Sequence, residues 1–445
     1  MTAADTRPLP REDEETHDLV GIGLGPFNLA LAALADGLPG FTARFLEARP
    51  SFSWHPGLLL EGARLQVPFL ADLVSLVDPT SRWSFLSYLR EHDRLFPFYF
   101  SEHFHAPRRE YDDYCRWVAR SLDSCRFDAR ADAVHHEDGV FTVTHTGADG
   151  TVSRTRGRAL VLGIGTEPVL PAPLRPLVGD RVFHAADHLD RAAGLEGVDD
   201  ITVLGSGQSG AEVFLDLLRS PAHRATTLNW LTRSPAFAPM EYSKLGLEHF
   251  TPDYTRYFHA LPQETKDRVV PAQWQLYKGI SGDTIAEIHD VLYERGIGGA
   301  DPGVSLRAQC ELVAAEADGD GFALRFRHRE QDAGFTVRTG AVIAASGYAQ
   351  RSPDFLAPIA KLIETDAQGR PFVNGDLRLA TDPTLTAPVH VQNAELHSHG
   401  VGAPDLGLGA WRAAVILNAV TGRTAYRLPE RTAFTSFGAP AGDRR

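Results

Sequence analysis

The sequence lacks the features of a membrane protein or a nucleic-acid-binding protein. Its apolar runs all fall short of the roughly 18 residues that a spanning helix needs. Lys and Arg number 44 against 57 Asp and Glu, and the net charge of −13 leaves no basic footprint for nucleic acid or an anionic membrane. Residues 1–18 are polar and acidic, without the apolar core of a signal peptide. These absences predict a cytoplasmic protein.

Cysteine is scarce as well. The three residues, Cys115, Cys125 and Cys310, form neither a C-x-x-C pair nor a zinc-type spacing. We therefore expect buried thiols in a reducing compartment and no redox cysteine pair. With 445 residues, 43% hydrophobic and 23% charged, the chain is long enough for two or three globular domains.

The sequence does contain two glycine-rich turns, each between an apolar run and a helical pattern. In the first, Gly21, Gly23 and Gly25 lead into a helix that begins at Pro26, and a second apolar run then ends at Glu47. Strand, glycine turn, helix, strand and acid is the order typical of dinucleotide binding. The glycines would let the backbone approach a pyrophosphate, and Glu47 would accept hydrogen bonds from an adenosine ribose.

The second turn, Gly205-Ser-Gly-Gln-Ser-Gly210, matches the G-x-G-x-x-G pattern between a strand at 201–204 and a helix at 211–219. The next strand, 227–232, is followed by Arg233 and not by an acid. A cation at this position suits a 2′-phosphate, which favours NADPH over NADH.

Two such units predict an α/β fold with two Rossmann-like dinucleotide-binding domains, the second inserted in the first, and a small, mostly helical substrate region. A strand near 161–165 would leave the first domain, and a segment beginning at 341 would return to it. Two dinucleotide-binding domains, one inserted in the other, are typical of a flavin enzyme that takes electrons from a nicotinamide, so the first domain is expected to bind FAD. The predicted boundaries are 17–165 for the first part of the FAD domain with substrate-region helices, 166–340 for the NADPH domain with a substrate-region segment, 341–430 for the second FAD part that closes over substrate and flavin, and 1–16 and 431–445 for mobile tails. Without a redox cysteine pair, electron transfer to dioxygen, as in a monooxygenase, is the leading interpretation.

Further motifs run from about residue 17 to about residue 422. They are Gly23-Leu-Gly-Pro-Phe-Asn28, Trp54-His-Pro-Gly57, the segment 65–81, Tyr111-Asp-Asp-Tyr-Cys-Arg-Trp117, Gly205 to Glu212, Ala345-Ser-Gly-Tyr348, and His399-Gly400 with Leu408 to Arg412. In these segments the sequence resembles the flavin-dependent N-hydroxylating monooxygenases of siderophore biosynthesis, which act on lysine, ornithine or short diamines.

The resemblance implies a set of cofactor-binding and catalytic residues. On the FAD side and around the flavin it implies Gly21, Gly23, Gly25, Pro26, Asn28, Glu47, Trp54, His55, Gln66, Ser346, Gly347, Tyr348 and Leu406. For NADPH it implies Gly205, Gly207, Gln208, Ser209 and Arg233. Gln66, beside the reactive edge of the flavin, and Asn393 are the implied catalytic residues.

The implied reaction is NADPH-dependent reduction of FAD, followed by oxygen addition to give a C4a-hydroperoxide that hydroxylates a primary amine. The main task of the protein would be to exclude water, because leakage of that species yields hydrogen peroxide. The attacking amine must be neutral, although the ordinary pKa of an alkylamine is about 10.4, so the site must desolvate it. No residue in the sequence is identified as a general base for the amine, and we interpret Asp72, His55 and His397 as structural residues.

The substrate is predicted from three positions at which this sequence differs from the ornithine and lysine enzymes of the family. In those enzymes the residues at these positions hold the carboxylate of the substrate. By this resemblance those positions are Ala71, Leu247 and Gly407, none of which can pair with a carboxylate, so we expect a diamine such as cadaverine or putrescine. The alternative is an amino acid held by another cation, with candidates Arg82, Arg108, Arg109 and Lys244. Lysine or ornithine hydroxylation, an uncoupled NADPH oxidase and a non-catalytic flavoprotein stay open.

Two further expectations concern metals and partners. His397 and His399, with Glu395 nearby, look superficially like a metal site, but they lie where this family closes over the flavin, and no metal is predicted. The expected partners are a small primary amine and dioxygen, with no nucleic acid and no membrane. By the resemblance we also expect a homo-oligomer, either a dimer or a tetramer.

Overall fold

The computed structural model describes residues 11–351 and 353–440. Its strands are β1 (Arg11–His17), β2 (Leu19–Ile22), β3 (Ala43–Leu46), β4 (Cys125–Arg126), β5 (Arg130–Glu137), β6 (Val140–Thr146), β7 (Val152–Gly157), β8 (Leu160–Leu162), β9 (Thr166–Pro168), β10 (Val182–His184), β11 (Asp200–Leu204), β12 (Thr227–Leu231), β13 (Val304–Arg307), β14 (Cys310–Asp318), β15 (Gly321–His328), β16 (Ala333–Thr339), β17 (Ala341–Ala344), β18 (Tyr348–Gln350) and β19 (Val389–Val391). Its helices are α1 (Pro26–Asp36), α2 (Phe85–Glu91), α3 (Leu95–Ser101), α4 (Arg108–Ser121), α5 (His188–Arg191), α6 (Gln208–Arg219), α7 (Pro252–His259), α8 (Gln263–Ala272), α9 (Trp274–Tyr277), α10 (Gly282–Arg295), α11 (Leu396–His399) and α12 (Gly409–Thr421). No helix within these residues has the length and apolar character needed to cross a membrane.

The first glycine turn belongs to a five-stranded parallel sheet with the order β19-β8-β2-β3-β4. Every residue of β2 is buried, as a central parallel strand requires. Helix α1 starts at Pro26, whose ring suits the first helical position, and it buries Leu29, Leu31 and Leu34 against this domain's core. The first predicted dinucleotide-binding unit is therefore present.

The second glycine turn belongs to another five-stranded parallel sheet, with the order β10-β17-β11-β12-β13. The predicted return to the first domain at residue 341 is wrong at this point. Strand β17 lies inside the second sheet, where Val342 pairs with Val182 on one side and Thr202 on the other. Its Ala-Val-Ile-Ala sequence is buried throughout, which fits a strand between two neighbours.

The connection between the two sheets is a two-stranded antiparallel ribbon. Strand β9 leads out of the first domain and β18 leads back, with Glu167 opposite Ala349. The chain therefore crosses between the domains twice at the same place. This ribbon replaces residue 341 as the end of the inserted domain.

Both predicted mobile tails are partly ordered. Strand β1 pairs in parallel with β7 in the sheet β1-β7-β6-β5, although the prediction placed most of its residues in a tail. Near the other end, the Asp253 carboxylate accepts hydrogen bonds from Thr432 Oγ1 at 2.6 Å and from the Ala433 N–H at 2.9 Å. The Phe437 ring then packs 5.0 Å from that of Tyr254. Residues 1–10 and 441–445 of the predicted tails lie outside the described residues.

A helical layer of α2, α3 and α4 follows β3 and precedes β4 in the chain, within the segment 17–165 that was predicted to carry the substrate-region helices. Its core is a cluster of rings, with Phe85 5.4 Å from Tyr114 and 5.8 Å from Tyr88. Asp72 organises the loop before this layer by accepting backbone hydrogen bonds from Val74, Ser75 and Phe85. This arrangement supports our interpretation of Asp72 as structural.

Candidate active site

A single continuous cleft of about 4050 Å³ runs between the two parallel sheets. A typical small-molecule pocket is about 300–1000 Å³, so this cleft has room for two dinucleotides and a substrate. Most of the residues that the sequence predicted for cofactors, catalysis and substrate line it, namely Gly23, Gly25, Pro26, Glu47, Trp54, His55, Gln66, Ala71, Gly205, Gly207, Gln208, Ser209, Arg233, Leu247, Ser346, Gly347, Tyr348, Asn393, Leu406 and Gly407.

The first glycine turn forms a phosphate cradle. Gly23 has φ +83°, and a Cβ there would lie 2.5 Å from the carbonyl oxygen of Gly163, so only glycine fits. Gly25 is the N-cap of α1, and a Cβ on it would meet no atom within 4 Å, which leaves its backbone open to the cleft. An open glycine at a helix N-terminus suits the pyrophosphate of FAD.

Two residues of the same motif, Gly21 and Asn28, do not line the cleft, and their contact with the cofactor stays a prediction. A Cβ on Gly21 would lie 2.2 Å from Cδ1 of Phe45, so this glycine serves packing inside the sheet. Asn28 is fully buried, donates from Nδ2 to the Gly23 carbonyl at 2.7 Å and accepts from Gln392 at 2.8 Å. Through these hydrogen bonds Asn28 stabilises the conformation of the glycine turn.

Glu47 faces the cleft from the end of β3, as predicted for a ribose ligand. Its Oε2 accepts a hydrogen bond from the Leu24 N–H at 2.8 Å, and its Oε1 accepts one from the Arg49 N–H at 3.0 Å. The carboxylate thus fixes the glycine turn while its remaining lone pairs stay available to sugar hydroxyls.

The second glycine turn repeats this construction at the other end of the cleft. Gly205 has φ +114°, and a Cβ there would lie 2.2 Å from the Ala345 carbonyl oxygen. The amide of Gln208 is already used within the protein, because Oε1 accepts from the Ser281 N–H at 2.8 Å and Nε2 donates to Glu212 at 2.9 Å. Arg233 is exposed to the cleft and forms no ion pair within residues 11–351 and 353–440, as a site for a 2′-phosphate requires.

Between the two turns, residues near the interdomain ribbon line the middle of the cleft. His55 has φ +49°, and burial, reinforced by Arg108 and Arg49, lowers its pKa to about 4, so the ring is neutral at neutral pH. Tyr348 lies 5.9 Å from it, edge to face. Ser346, a predicted cofactor-binding residue, donates a hydrogen bond from its hydroxyl to the Val169 carbonyl at 2.5 Å. This hydrogen bond lies within the protein and joins the segments next to β9 and β18.

The predicted catalytic and substrate residues meet at the inner end of the cleft. The Nε2 atom of Gln66 is buried and has no hydrogen-bond partner among the described residues, which suits a donor awaiting a cofactor or substrate. Asn393 has φ +61°, a conformation that asparagine tolerates. Ala71 lies opposite Gly407, since a Cβ on that glycine would be 3.9 Å from the Ala71 Cβ. Leu247 also lines the cleft and is 39% exposed.

Three further residues of this region were not predicted, namely Asp405, Tyr242 and Asp283. Asp405 accepts a hydrogen bond from the Gly407 N–H at 2.7 Å, and burial raises the pKa of its carboxyl to about 6. Burial also raises the pKa of Tyr242 to about 12; the charges of Asp283 and Asp405 add to this, and the Gln66 amide opposes it. These acids stand far apart in the sequence, and no local pattern marks them.

Of the four cations proposed as an alternative carboxylate clamp, Arg108 and Lys244 line the cleft, whereas Arg82 and Arg109 do not, and Lys244 stays a candidate for that role. Arg82 pairs with Asp36 at 2.8 Å, and Arg109 does not line the cleft. Arg108 lines the cleft but is paired with Glu212 at 2.8 Å. Lys244 also lines the cleft and is exposed.

The His-rich segment near the C-terminus does not assemble as a metal site. His397 bonds through Nε2 to the Pro371 carbonyl at 2.8 Å, and Glu395 pairs with Arg412 at 3.3 Å. Within residues 11–351 and 353–440 no group of three or more His, Cys, Asp or Glu side chains is placed to hold a metal ion.

Comparison with known sequences gives the family. The model of the L-lysine 6-monooxygenase/L-ornithine 5-monooxygenase family matches residues 15–350. The rhizobactin siderophore biosynthesis protein RhbE of Rhizobium meliloti is 45% identical, with the alignment covering 95% of this chain and 95% of that protein. The putrescine N-hydroxylase of Shewanella oneidensis is 40% identical, over 97% of this chain and 86% of that protein.

Solved structures agree with the sequences. DfoA of Erwinia amylovora, the cadaverine monooxygenase of desferrioxamine biosynthesis bound to FAD, superimposes with a TM-score of 0.92 at 38% identity, over 96% of this chain and 100% of that one. The ornithine N-hydroxylase KtzI of Kutzneria sp. 744, with reduced FAD, NADP⁺ and ornithine, gives 0.86 at 27% identity, over 92% and 99%. The predicted fold class, enzyme class and cofactors, FAD and NADPH, are confirmed. The chain belongs to the L-lysine 6-monooxygenase/L-ornithine 5-monooxygenase family of flavin-dependent N-hydroxylating monooxygenases.

Proposed function

We propose that this enzyme hydroxylates one amine of a short diamine of the cadaverine and putrescine class, to supply a hydroxamate siderophore. The observation that carries the proposal is the facing pair Ala71 and Gly407 with the Asp405 carboxylate beside them. The relatives named for putrescine and for cadaverine support it, at 40% and 38% identity.

The charges around this pair favour a diamine over an amino acid. An amino-acid substrate would bring its carboxylate against Asp405 with no cation at positions 71, 247 or 407, and an unpaired charge in a mostly buried site costs several kcal/mol. A diamine brings an ammonium group instead, and Asp405 offers it a charge-assisted hydrogen bond. The second ammonium of the diamine is therefore placed at Asp405.

The protein residues also prepare the amine that reacts. Bound FAD activates oxygen and NADPH supplies the electrons. Burial of the reacting amine in the cleft desolvates it, which lowers its pKa and favours the neutral form. The buried Nε2 of Gln66 is a predicted donor that can hold reacting atoms in place. Closure of the cleft around these residues excludes water.

The test is a substrate panel. Hydroxylamine and hydrogen peroxide are measured in parallel for cadaverine, putrescine, L-lysine and L-ornithine with NADPH and FAD. We expect coupled turnover with the diamines, whereas the amino acids give mainly peroxide. Coupled turnover of lysine or ornithine would overturn the substrate assignment, and peroxide with all four amines would indicate an uncoupled NADPH oxidase.

A matched pair of variants localises the effect. Ala71→Lys places a cation beside Gly407, and we expect it to weaken diamine turnover and to improve the ratio of lysine to cadaverine turnover. Leu76→Lys places the same charge at a more exposed position of the cleft, since Leu76 is 57% exposed and Ala71 5%, and serves as the control. An equal effect of both variants would show that cleft charge in general, and not the carboxylate position, governs selectivity. Dimeric or tetrameric assembly and a cytoplasmic location stay predictions from the sequence.

A further inference from the structure

Arg108 and Glu212 form a buried ion pair between the two domains. Arg108 is the first residue of α4 on the FAD side, and Glu212 lies in the second turn of α6 on the NADPH side. The two guanidinium Nη atoms each lie 2.8 Å from a carboxylate oxygen, so the pair is bidentate. The side chains are only 11% and 6% exposed.

The pair continues into hydrogen bonds on both sides. Arg108 Nη1 donates to the Leu58 carbonyl at 3.0 Å, and Glu212 Oε1 accepts from Gln208 Nε2 at 2.9 Å. Gln208 directly follows Gly207 and accepts from the Ser281 N–H at the start of α10. A continuous set of polar contacts therefore runs from the FAD-side helix α4 to the NADPH-binding turn.

The same side of the molecule carries a tight backbone contact. A Cβ on Gly57 would lie 1.9 Å from the carbonyl oxygen of Ala186, so the turn after His55 packs directly on the inserted domain. By contrast, the covalent connection is the ribbon of β9 and β18, with three residues in each strand. A short two-stranded ribbon is weak by itself and cannot fix the angle between two domains.

We propose that Glu212, acting through Arg108, is a positioning residue that locks the NADPH domain onto the FAD domain. Hydride transfer between bound NADPH and bound FAD would require reacting atoms about 3–3.5 Å apart, and a misplacement of about 1 Å can cost roughly 100-fold in rate. The lock holds the second glycine turn at a fixed distance from the first one. The inference does not depend on which amine is hydroxylated.

Glu212→Gln tests the lock because it keeps the size of the side chain and removes its charge. We expect the amides of β9 and β18 to exchange with deuterium about tenfold faster or more in the flavin-free variant, because one partner of a buried charge pair is left unpaired. In the full enzyme we expect slower flavin reduction at saturating NADPH and a larger share of NADPH consumed as peroxide. Glu212→Asp keeps the charge, and we expect it to restore part of the coupling.

Arg219→Gln is the matched control, since it breaks the Arg219–Glu287 pair between α6 and α10 inside the NADPH domain, where both side chains are about half exposed. Should Glu212→Gln fail to fold, Arg108→Lys removes the bidentate geometry from the other side. The inference is overturned if Glu212→Gln matches Arg219→Gln in ribbon exchange and in coupling. It is also overturned if coupling falls without faster ribbon exchange, because Glu212 would then act directly on the reacting groups.

Discussion

The most informative single substitution is Asp405→Asn, which we expect to stabilise the protein while weakening its function. The Asp405 carboxyl has a pKa of about 6 instead of the ordinary 3.8, with burial as the main cause. The folded protein therefore holds this proton more tightly than the unfolded chain, and the free energy of unfolding falls as the pH rises from about 4 to about 6. At pH 7.5 the ionised carboxylate lowers the free energy of unfolding of the wild type by about 3 kcal/mol at most, and the variant, which has no carboxyl at this position, does not lose this free energy. Asparagine can still accept the Gly407 N–H.

The assay is urea or thermal unfolding at pH 7.5 and at pH 4.5, together with the KM for cadaverine. The stability gain should shrink strongly at pH 4.5, because the wild-type carboxyl is then largely protonated. A hydrogen bond to a charged group contributes about 1.5–3 kcal/mol, so the KM should rise roughly 10- to 150-fold. Asp187→Asn, a carboxylate elsewhere in the cleft, is the control for general charge. A variant that is less stable at pH 7.5, or that binds cadaverine normally, would refute this reasoning.

Three other substitutions and one chemical treatment have definite expected outcomes. Gly23→Ala should prevent FAD binding and lower the stability of the protein, because the added Cβ would lie 2.5 Å from the Gly163 carbonyl oxygen. Gly25→Ala should lower the affinity for FAD and leave the melting temperature of the flavin-free protein unchanged, because a Cβ there meets no protein atom within 4 Å. Arg233→Ala should raise the KM for NADPH at least about tenfold with little change for NADH, measured by steady-state kinetics. Thiol reagents should leave activity intact in the native enzyme, since burial raises the pKa of Cys115, Cys125 and Cys310; rapid inactivation would contradict this.

The parts of the fold that the sequence predicted are those with a local cause. A positive φ, a helix start and a buried strand fall within a few consecutive residues, so both glycine turns could be located from spacing alone. The assignment of residues 341–344 failed because an apolar strand such as Ala-Val-Ile-Ala carries no mark of which sheet it joins. Its partners, β10 and β11, are set by tertiary packing.

The same difference between local causes and tertiary packing explains which residues of the site could be predicted. Gly21 and Asn28 belong to the right motif but point away from the cleft, and only the backbone path decides that direction. Asp405 was missed because its significance arises from Ala71, more than 300 residues earlier in the chain. The Arg108–Glu212 contact likewise joins two segments about 100 residues apart that neither periodicity nor motif relates.

The interdomain ribbon has a consequence for the history and engineering of this enzyme. Adjacent strands lie about 4.8 Å apart, so the entry and exit points of the segment between β9 and β18 are neighbours in space. Recombination at these two points can exchange the whole inserted NADPH-binding domain and leave the backbone path of the FAD-binding domain unaltered. A graft from a relative that prefers NADH would have to match the contacts that the segment makes with the rest of the chain, namely the turn at Gly57, the acceptor for Arg108, and the contacts of α7 and α8 with the C-terminal part, such as Asp253 with Thr432 and Asp267 with Arg370.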